Sequence, residues 1–258
     1  MAQDRPDPVS VYREIDQASL SLQSRFTFHC HDGRACFNQC CRTPNIILSP
    51  YDISRLRQFL GITSGEFLQR YTRRETEEMS NLPLIFLDAF RPTGEGCPFL
   101  GEMGCRVYSH RPAACRLFPI TMGSQLTEQG VVDYYFCRKL DYCQGFDTDM
   151  EWTVESWQAN QGFKEYDQGR RAWLEIMLKQ GQRGPVDARV QELFATTAYD
   201  LDKVRQLISE PAYRQACDLD AEVWEQLNTG TSDTALLDFS YRYLRSILFT
   251  EIGGPVPP

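Results

Sequence analysis

The sequence predicts an α+β protein, a small cysteine-rich domain of short strands and helices packed against an all-α C-terminal region. Three observations carry this expectation. Nine of the ten cysteines lie between Cys30 and Cys143, in a stretch rich in glycine and proline turns. Short apolar runs of strand length alternate with those turns. Beyond Cys143 the apolar residues recur at helical spacing instead. The chain is 258 residues long, 42% hydrophobic and 24% charged, enough to bury a core without covalent staples.

The elements follow in order. Residues 1–24 read as a lead-in, with an amphipathic helix around Val11–Leu22. "RFTF" is an extended approach to Cys30, and "NIIL" a strand. Ser49 is placed to cap a helix with Pro50 in its first turn and Gly61 at its end. A second helix fits "TSGEFLQRYTRR", and "LPLIFLDAF" is a strand. Gly94, Gly96, Gly101, Gly104, Pro98 and Pro112 mark turns around the second cysteine group. "SHRPAACRLF" predicts a short helix capped by Ser109 and stopped before Pro119. "GVVDYYF" is a strand that delivers Cys137. Four helical stretches follow, "DTDMEWTVESWQANQGF", "YDQGRRAWLEIMLKQG", "VDARVQELFATTAYDLDKVRQLI" and "DTALLDFSYRYLRSILF", before a loose "GGPVPP" tail. The division expected is 1–24, 25–162 for the cysteine domain, and 163–258 for the helical region.

Charge restricts the function classes. The net charge is −8, and an acidic surface argues against general nucleic-acid binding. Residues 25–143 carry 14 basic groups, 13 of them Arg, suited to offset thiolates or grip an anion. The N-terminus lacks the basic and apolar regions of a signal peptide, and no apolar run approaches the length of a membrane span. A cytoplasmic location is expected, with reduced thiols. Clustered cysteines there point to metal or redox chemistry.

The candidate metal ligands are Cys30, Cys36, Cys40, Cys41, Cys97, Cys105, Cys115, Cys137 and Cys143. Cys36 and Cys40, four apart, reach a common point through one turn. The adjacent Cys40 and Cys41 diverge in most backbone conformations, so they serve two metals or one lies outside the ligand set. Cys97, Cys105 and Cys115 lie in a segment able to wrap an ion. The spacing is neither that of zinc fingers nor a ferredoxin run, so zinc and iron–sulfur clusters both stay open. Cys217 reads as a core residue. His29, His31 and His110 are secondary candidates. Arg111 and Arg116, flanking Cys115, are expected to bond loop carbonyls or thiolates. Phosphate-cradling, zincin and nucleophile-elbow motifs are missing from the sequence.

"FHCHDGRACFNQCC", "CPFL" and "CRVYSHRPAACRLFP" together resemble the cysteine-cluster family of zinc- or iron-chelating proteins. The last element fits the family's C-x-I-Y-x-x-R-P-x-x-C-R-x-F/Y-P from Cys105 to Pro119; the first departs from it as C-x5-C-x3-C-C. The resemblance covers about residues 26–160. It implies a cysteine-bound zinc or iron ion or an iron–sulfur cluster. It is distantly similar to the flagellin lysine N-methylases, which implies an S-adenosylmethionine-dependent enzyme acting on a protein. In that reading Arg111 and Arg116 face the donor's carboxylate, with Tyr108, Phe118, Tyr134 and Tyr135 as aromatic faces for its sulfonium. The competing reading is a metal-stabilised binding or assembly module without chemistry. Substrate and oligomeric state are not legible.

Overall fold

The computed structural model describes residues 19–91, 94–210 and 233–249. Strand β1 (Arg25–Thr27) pairs antiparallel with β11 (Glu151–Thr153), so the chain leaves this seam at Phe28 and returns to it more than a hundred residues later. Between these two strands lie all nine cysteines from Cys30 to Cys143.

The first half is built of small antiparallel pieces. Strand β2 (Ile47–Leu48) and β3 (Thr72–Thr76) flank the central β4 (Pro83–Leu87). Leu48, Ile85 and Leu87 enter the core from this sheet. Helix α1 (Pro50–Leu60) begins and ends where the sequence places it. Ser49 and Asp52 form a reciprocal capping box, and Gly61 closes the helix in the left-handed region at φ 66°. Helix α2 (Ser64–Tyr71) is shorter than its sequence suggests. Thr72 turns extended, and the following β-branched and charged residues pair with β4 rather than continuing the helix. Two small hairpins follow, β5 (Phe90–Arg91) with β6 (Gly94–Glu95) and β7 (Leu100–Gly101) with β8 (Gly104–Cys105). Helix α3 (Ala113–Leu117) precedes the long hairpin of β9 (Ile120–Thr127) and β10 (Gly130–Cys137), which runs in register from Thr127↔Gly130 to Ile120↔Cys137. Strand β9 is not evident in the sequence, where Gly123 and Ser124 interrupt its apolar pattern.

Among the described residues that follow, the helices are α4 (Val154–Asn160), α5 (Phe163–Arg183), α6 (Ala188–Tyr199), α7 (Leu201–Ile208) and α8 (Asp233–Phe249), preceded by β11. The single helix suggested for residues 186–208 divides at Asp200, whose side chain caps α7 by accepting from Lys203 N at 3.2 Å. Residues 11–18 of the lead-in helix lie outside the described residues. Leu20 makes an isolated antiparallel bridge with Tyr135 instead of joining a helix.

One hydrophobic cluster runs from Phe28 through Leu56, Phe67, Trp157, Trp173 and Phe194 to Leu244, uniting both halves. Each large side chain buried there contributes about 1.5–3 kcal/mol. Buried polar groups tie the layers together. Trp173 Nε1 donates to the Tyr199 hydroxyl at 3.1 Å, which donates to the Pro83 carbonyl at 2.9 Å, joining α5 and α6 to β4. Asp233 at the start of α8 accepts from Ser54 Oγ at 2.7 Å and from Arg57 and Arg205, joining α8 to α1 and α7. No described helix is long and apolar enough to cross a membrane.

Candidate metal centre

Cys30 is placed by the seam beneath it. Phe28 is buried edge-on against Phe118, Phe146 and Trp157. Phe28 N bonds Met150 O at 3.0 Å, His29 N bonds Gly145 O at 2.8 Å, and Trp152 Nε1 donates to Phe28 O at 2.9 Å. These bonds lay Cys30 against the turn that carries Cys143. From Cys30 the chain folds into successive tight turns, and Asn38 takes the left-handed conformation at φ 66°, opening the single helical turn Gln39–Cys41. Gln144 N approaches Cys36 Sγ at 3.2 Å. Cys30, Cys36, Cys40 and Cys143 thus line one cleft, together with Arg34, Asn38, Phe118, Tyr142 and Gly145.

A second neighbourhood forms on the other side of the Cys40–Cys41 peptide. Cys97 N donates to Cys41 O at 2.7 Å. Gly96 makes this approach possible. It sits at φ +93°, and a Cβ there would lie 3.1 Å from the carbonyl oxygens of Cys41 and Arg42. Cys105, in β8, stands opposite Leu100 in β7. Cys115 rides on α3, whose first N–H, that of Ala113, is held by Asp52 Oδ1 at 2.8 Å. Cys137 ends β10 close to Cys143 and Lys139.

The thiols feel one another. The Cys41 thiol hydrogen-bonds the Cys40 sulfur; this lowers Cys40 to about 7 and pushes Cys41 far up. Burial, then the neighbouring Cys40, Cys143 and Cys36, push Cys30 up to about 11, with Arg34 opposing. Burial raises Cys115 well above the thiol range, and Cys97, Cys105, Asp52 and Cys40 add to it. Burial also raises Cys105, Cys137 and Cys143. Cys30, Cys36, Cys40, Cys41, Cys105, Cys115, Cys137 and Cys143 form no disulfide with one another. Among the described residues, no three side chains of His, Cys, Asp or Glu stand as a ready metal-ligand set. Four of the cysteines therefore line one cleft and the others are their neighbours, with no closed cage among the described residues. Their donor chemistry nonetheless fits zinc, iron or an iron–sulfur cluster, which take soft thiolate ligands in fours.

The remaining candidates take other positions. His29 and His31 are exposed, with ring centroids 4.8 Å apart. His110 stacks on Phe59 at 4.4 Å. Arg116 is buried and donates to the carbonyls of Arg111, Ser109 and Gln161 and to the Tyr166 hydroxyl. Arg111 donates to Tyr108 O at 2.7 Å and to Gln161 Oε1, its guanidinium 3.9 Å from the centre of the exposed Tyr108 ring. Both arginines thus make the loop-carbonyl bonds their sequence context suggests. Phe118 lines the thiol cleft, whereas Tyr134 is exposed on the hairpin, edge-on to Phe136. Cys217 lies outside the described residues. Ser109 does not cap α3; its hydroxyl meets His110 Nδ1 at 2.9 Å, and the capping falls to Asp52. Sequence reading misses Asp52, Arg34 and Asn38 as parts of this region. Asp52 shows in sequence only as the third residue of a capping box, because its second partner is 61 positions away.

The fold gathers these thiols into a cysteine cluster between the two strands of the seam. Residues 29–144 match the CxxCxxCC family, described as "Putative zinc- or iron-chelating domain", and this segment of the chain is similar to it. The matched segment contains every cysteine of both neighbourhoods, and the match supports a zinc- or iron-chelating role. No curated protein and no solved structure matches the chain.

Proposed function

We propose that the protein binds zinc, iron or an iron–sulfur cluster through thiolates drawn from residues 30–41, 97–115 and 137–143. The observation that carries this reading is the gathering of thiols from three segments around one peptide bond, Cys40–Cys41, with Cys40 also close enough to influence Cys105 and Cys115. Cys40 lines a cleft with Cys30, Cys36 and Cys143, while Cys41 adjoins Cys97 and Cys115. So many neighbouring sulfurs from distant parts of the chain leave few roles besides metal binding. Thiolate ligands would supply the negative charge and soft donors that such a metal needs.

The exposure of Cys30 and Cys40 favours a second, finer reading. A centre that solvent and partners reach suits an enzyme acting on a protein better than a purely structural site. In that reading the protein is a cytoplasmic modifying enzyme, with S-adenosylmethionine as its donor.

Anaerobic purification tests the first reading directly. Stoichiometric zinc, or iron with acid-labile sulfide, is expected, and Cys40→Ser and Cys115→Ser should each lose metal where Cys217→Ser does not. Verified removal of the metal should lower the melting temperature by several degrees, because ligands from three separate segments couple binding to folding. Equal metal content in all variants, or an unchanged melt after removal, would overturn the reading. Titration of the metal-replete protein with S-adenosylmethionine tests the finer one: micromolar binding supports an enzyme, and no heat at millimolar donor rejects that donor.

A further inference from the structure

Arg34 is the cationic side chain of the cleft shared by Cys30, Cys36, Cys40 and Cys143. One end of its guanidinium is fixed, with Nη2 donating to the Asp147 carbonyl at 2.8 Å. This bond ties the first cysteine turn to the turn after Cys143, so the side chain links two thiol-bearing loops. The Nε–H is different. It is buried and has no hydrogen-bond partner among the described residues. A buried donor on a charged group that goes unmet is costly, so such a donor calls for an acceptor. Arg55, Gln158 and Arg170 also carry buried donors of this kind, but none of them lines the cleft. The cleft lining offers four cysteine sulfurs beside the Asn38 amide and the Tyr142 hydroxyl, and a thiolate bound to a metal keeps lone pairs for an N–H donor.

We propose that Arg34 is a positioning residue of the metal centre, its anchored guanidinium directing Nε–H to a metal-bound cysteine sulfur and offsetting the charge of the thiolates. This rests on the metal-binding reading above. Two properties of arginine suit the task. It stays charged beside several thiolates, and its rigid fork holds two donors to two acceptors at once, here a carbonyl and a sulfur. Lysine at the same place would keep the charge but lose the fixed direction. The opposing pull of Arg34 on the acidity of Cys30 agrees with its place among the sulfurs.

The test uses the full chain, reduced and metal-free under anaerobic conditions, titrated with cobalt(II) as a probe and competed with a chelator to obtain Kd. Thiolate-to-cobalt absorption in the near ultraviolet reports sulfur ligation independently of any activity. Arg34→Met should weaken binding by about 10–100-fold and shift the thiolate band, the usual consequence of losing a group that orients a ligand. Arg34→Lys should fall between wild type and Arg34→Met. A residue that serves only the fold would lower the metal-free melting temperature and leave the band and Kd alone. Equal Kd values and spectra for wild type and both variants overturn the role of Arg34 and leave the metal-binding reading standing. Failure of the wild type to bind cobalt, zinc or ferrous iron overturns both. Where Arg34→Met does not fold, Arg34→Lys decides: wild-type Kd and spectrum in that variant reject the proposal.

Discussion

Asp52 Oδ1 accepts the backbone N–H of Ala113 at 2.8 Å, so one carboxylate starts two helices. Its other oxygen accepts from Ser49 N at 2.9 Å and Ser49 Oγ at 2.7 Å at the head of α1. Its first oxygen holds the head of α3, the helix that carries Cys115. The side chain is 1% exposed, and burial raises its affinity for a proton despite the hydrogen bonds that oppose this.

Asp52→Ala should therefore cost more than an ordinary cap. It strands the N–H groups of Ser49 and Ala113 in the interior, which predicts a loss of about 2–4 kcal/mol in chemical denaturation. Asp52→Asn keeps an acceptor for Ala113 and removes a buried charge, so its loss should be smaller. Metal content should fall in Asp52→Ala as α3 loosens. Equal stability of the two variants would show that Asp52 does not join the helices energetically.

Arg116 tests the loop behind Cys115. Its guanidinium serves three carbonyls and one hydroxyl, and lies 4.1 Å from the centre of the Tyr166 ring. Arg116→Met leaves those acceptors unmet and should destabilise the protein by about 3–5 kcal/mol, the range for breaking a buried charged network. Arg116→Lys restores the charge but not the fork, and should recover only part of the loss. Thermal melts of both variants check this; a change below about 1 kcal/mol in Arg116→Met contradicts it.

Asp233 predicts the acid limit of the helical half. Burial raises its proton affinity, but the bonds from Ser54, Arg57 and Arg205 outweigh burial and hold the carboxyl below its ordinary value. A carboxylate depressed in the folded state contributes stability that is full above the ordinary carboxylate range. That contribution is lost as pH falls through the folded value. Below about pH 4 the α1–α7–α8 junction should weaken, and Asp233→Asn should flatten this part of the stability profile. Denaturation midpoints measured from pH 7 down to 3 provide the check; an Asn variant with the wild-type slope would assign the acid sensitivity elsewhere.

What the sequence makes legible here is local. Ser49, Pro50 and Gly61 bound α1 because capping chemistry acts within one turn of the chain. The motif from Cys105 to Pro119 marks α3 and its end for the same reason. The failures are long-range. Thr72–Thr76 leaves α2 because β4 offers it backbone partners, and that partner is set by a pairing invisible in a local window. Ser109 looks like the cap of α3, yet the cap comes from Asp52 on another helix. The cysteines were conspicuous as a group, but their division at Cys40–Cys41 depends on how the turn at Asn38 meets the strand seam. Arg34 had no signal beyond lying between two cysteines.

The pairing of β1 with β11 also sets a timetable for biosynthesis. Cys30 leaves the ribosome 123 residues before Thr153, the last residue of the strand that closes the seam. At ordinary elongation rates that interval lasts roughly 6–25 s. Through it the early thiols lack the turn that carries Cys143, their neighbour in the cleft. The nascent chain thus depends on its surroundings, reducing agents or a chaperone, to keep those sulfurs unoxidised until the seam can form. Metal delivered before that point would meet the ligands of one loop only.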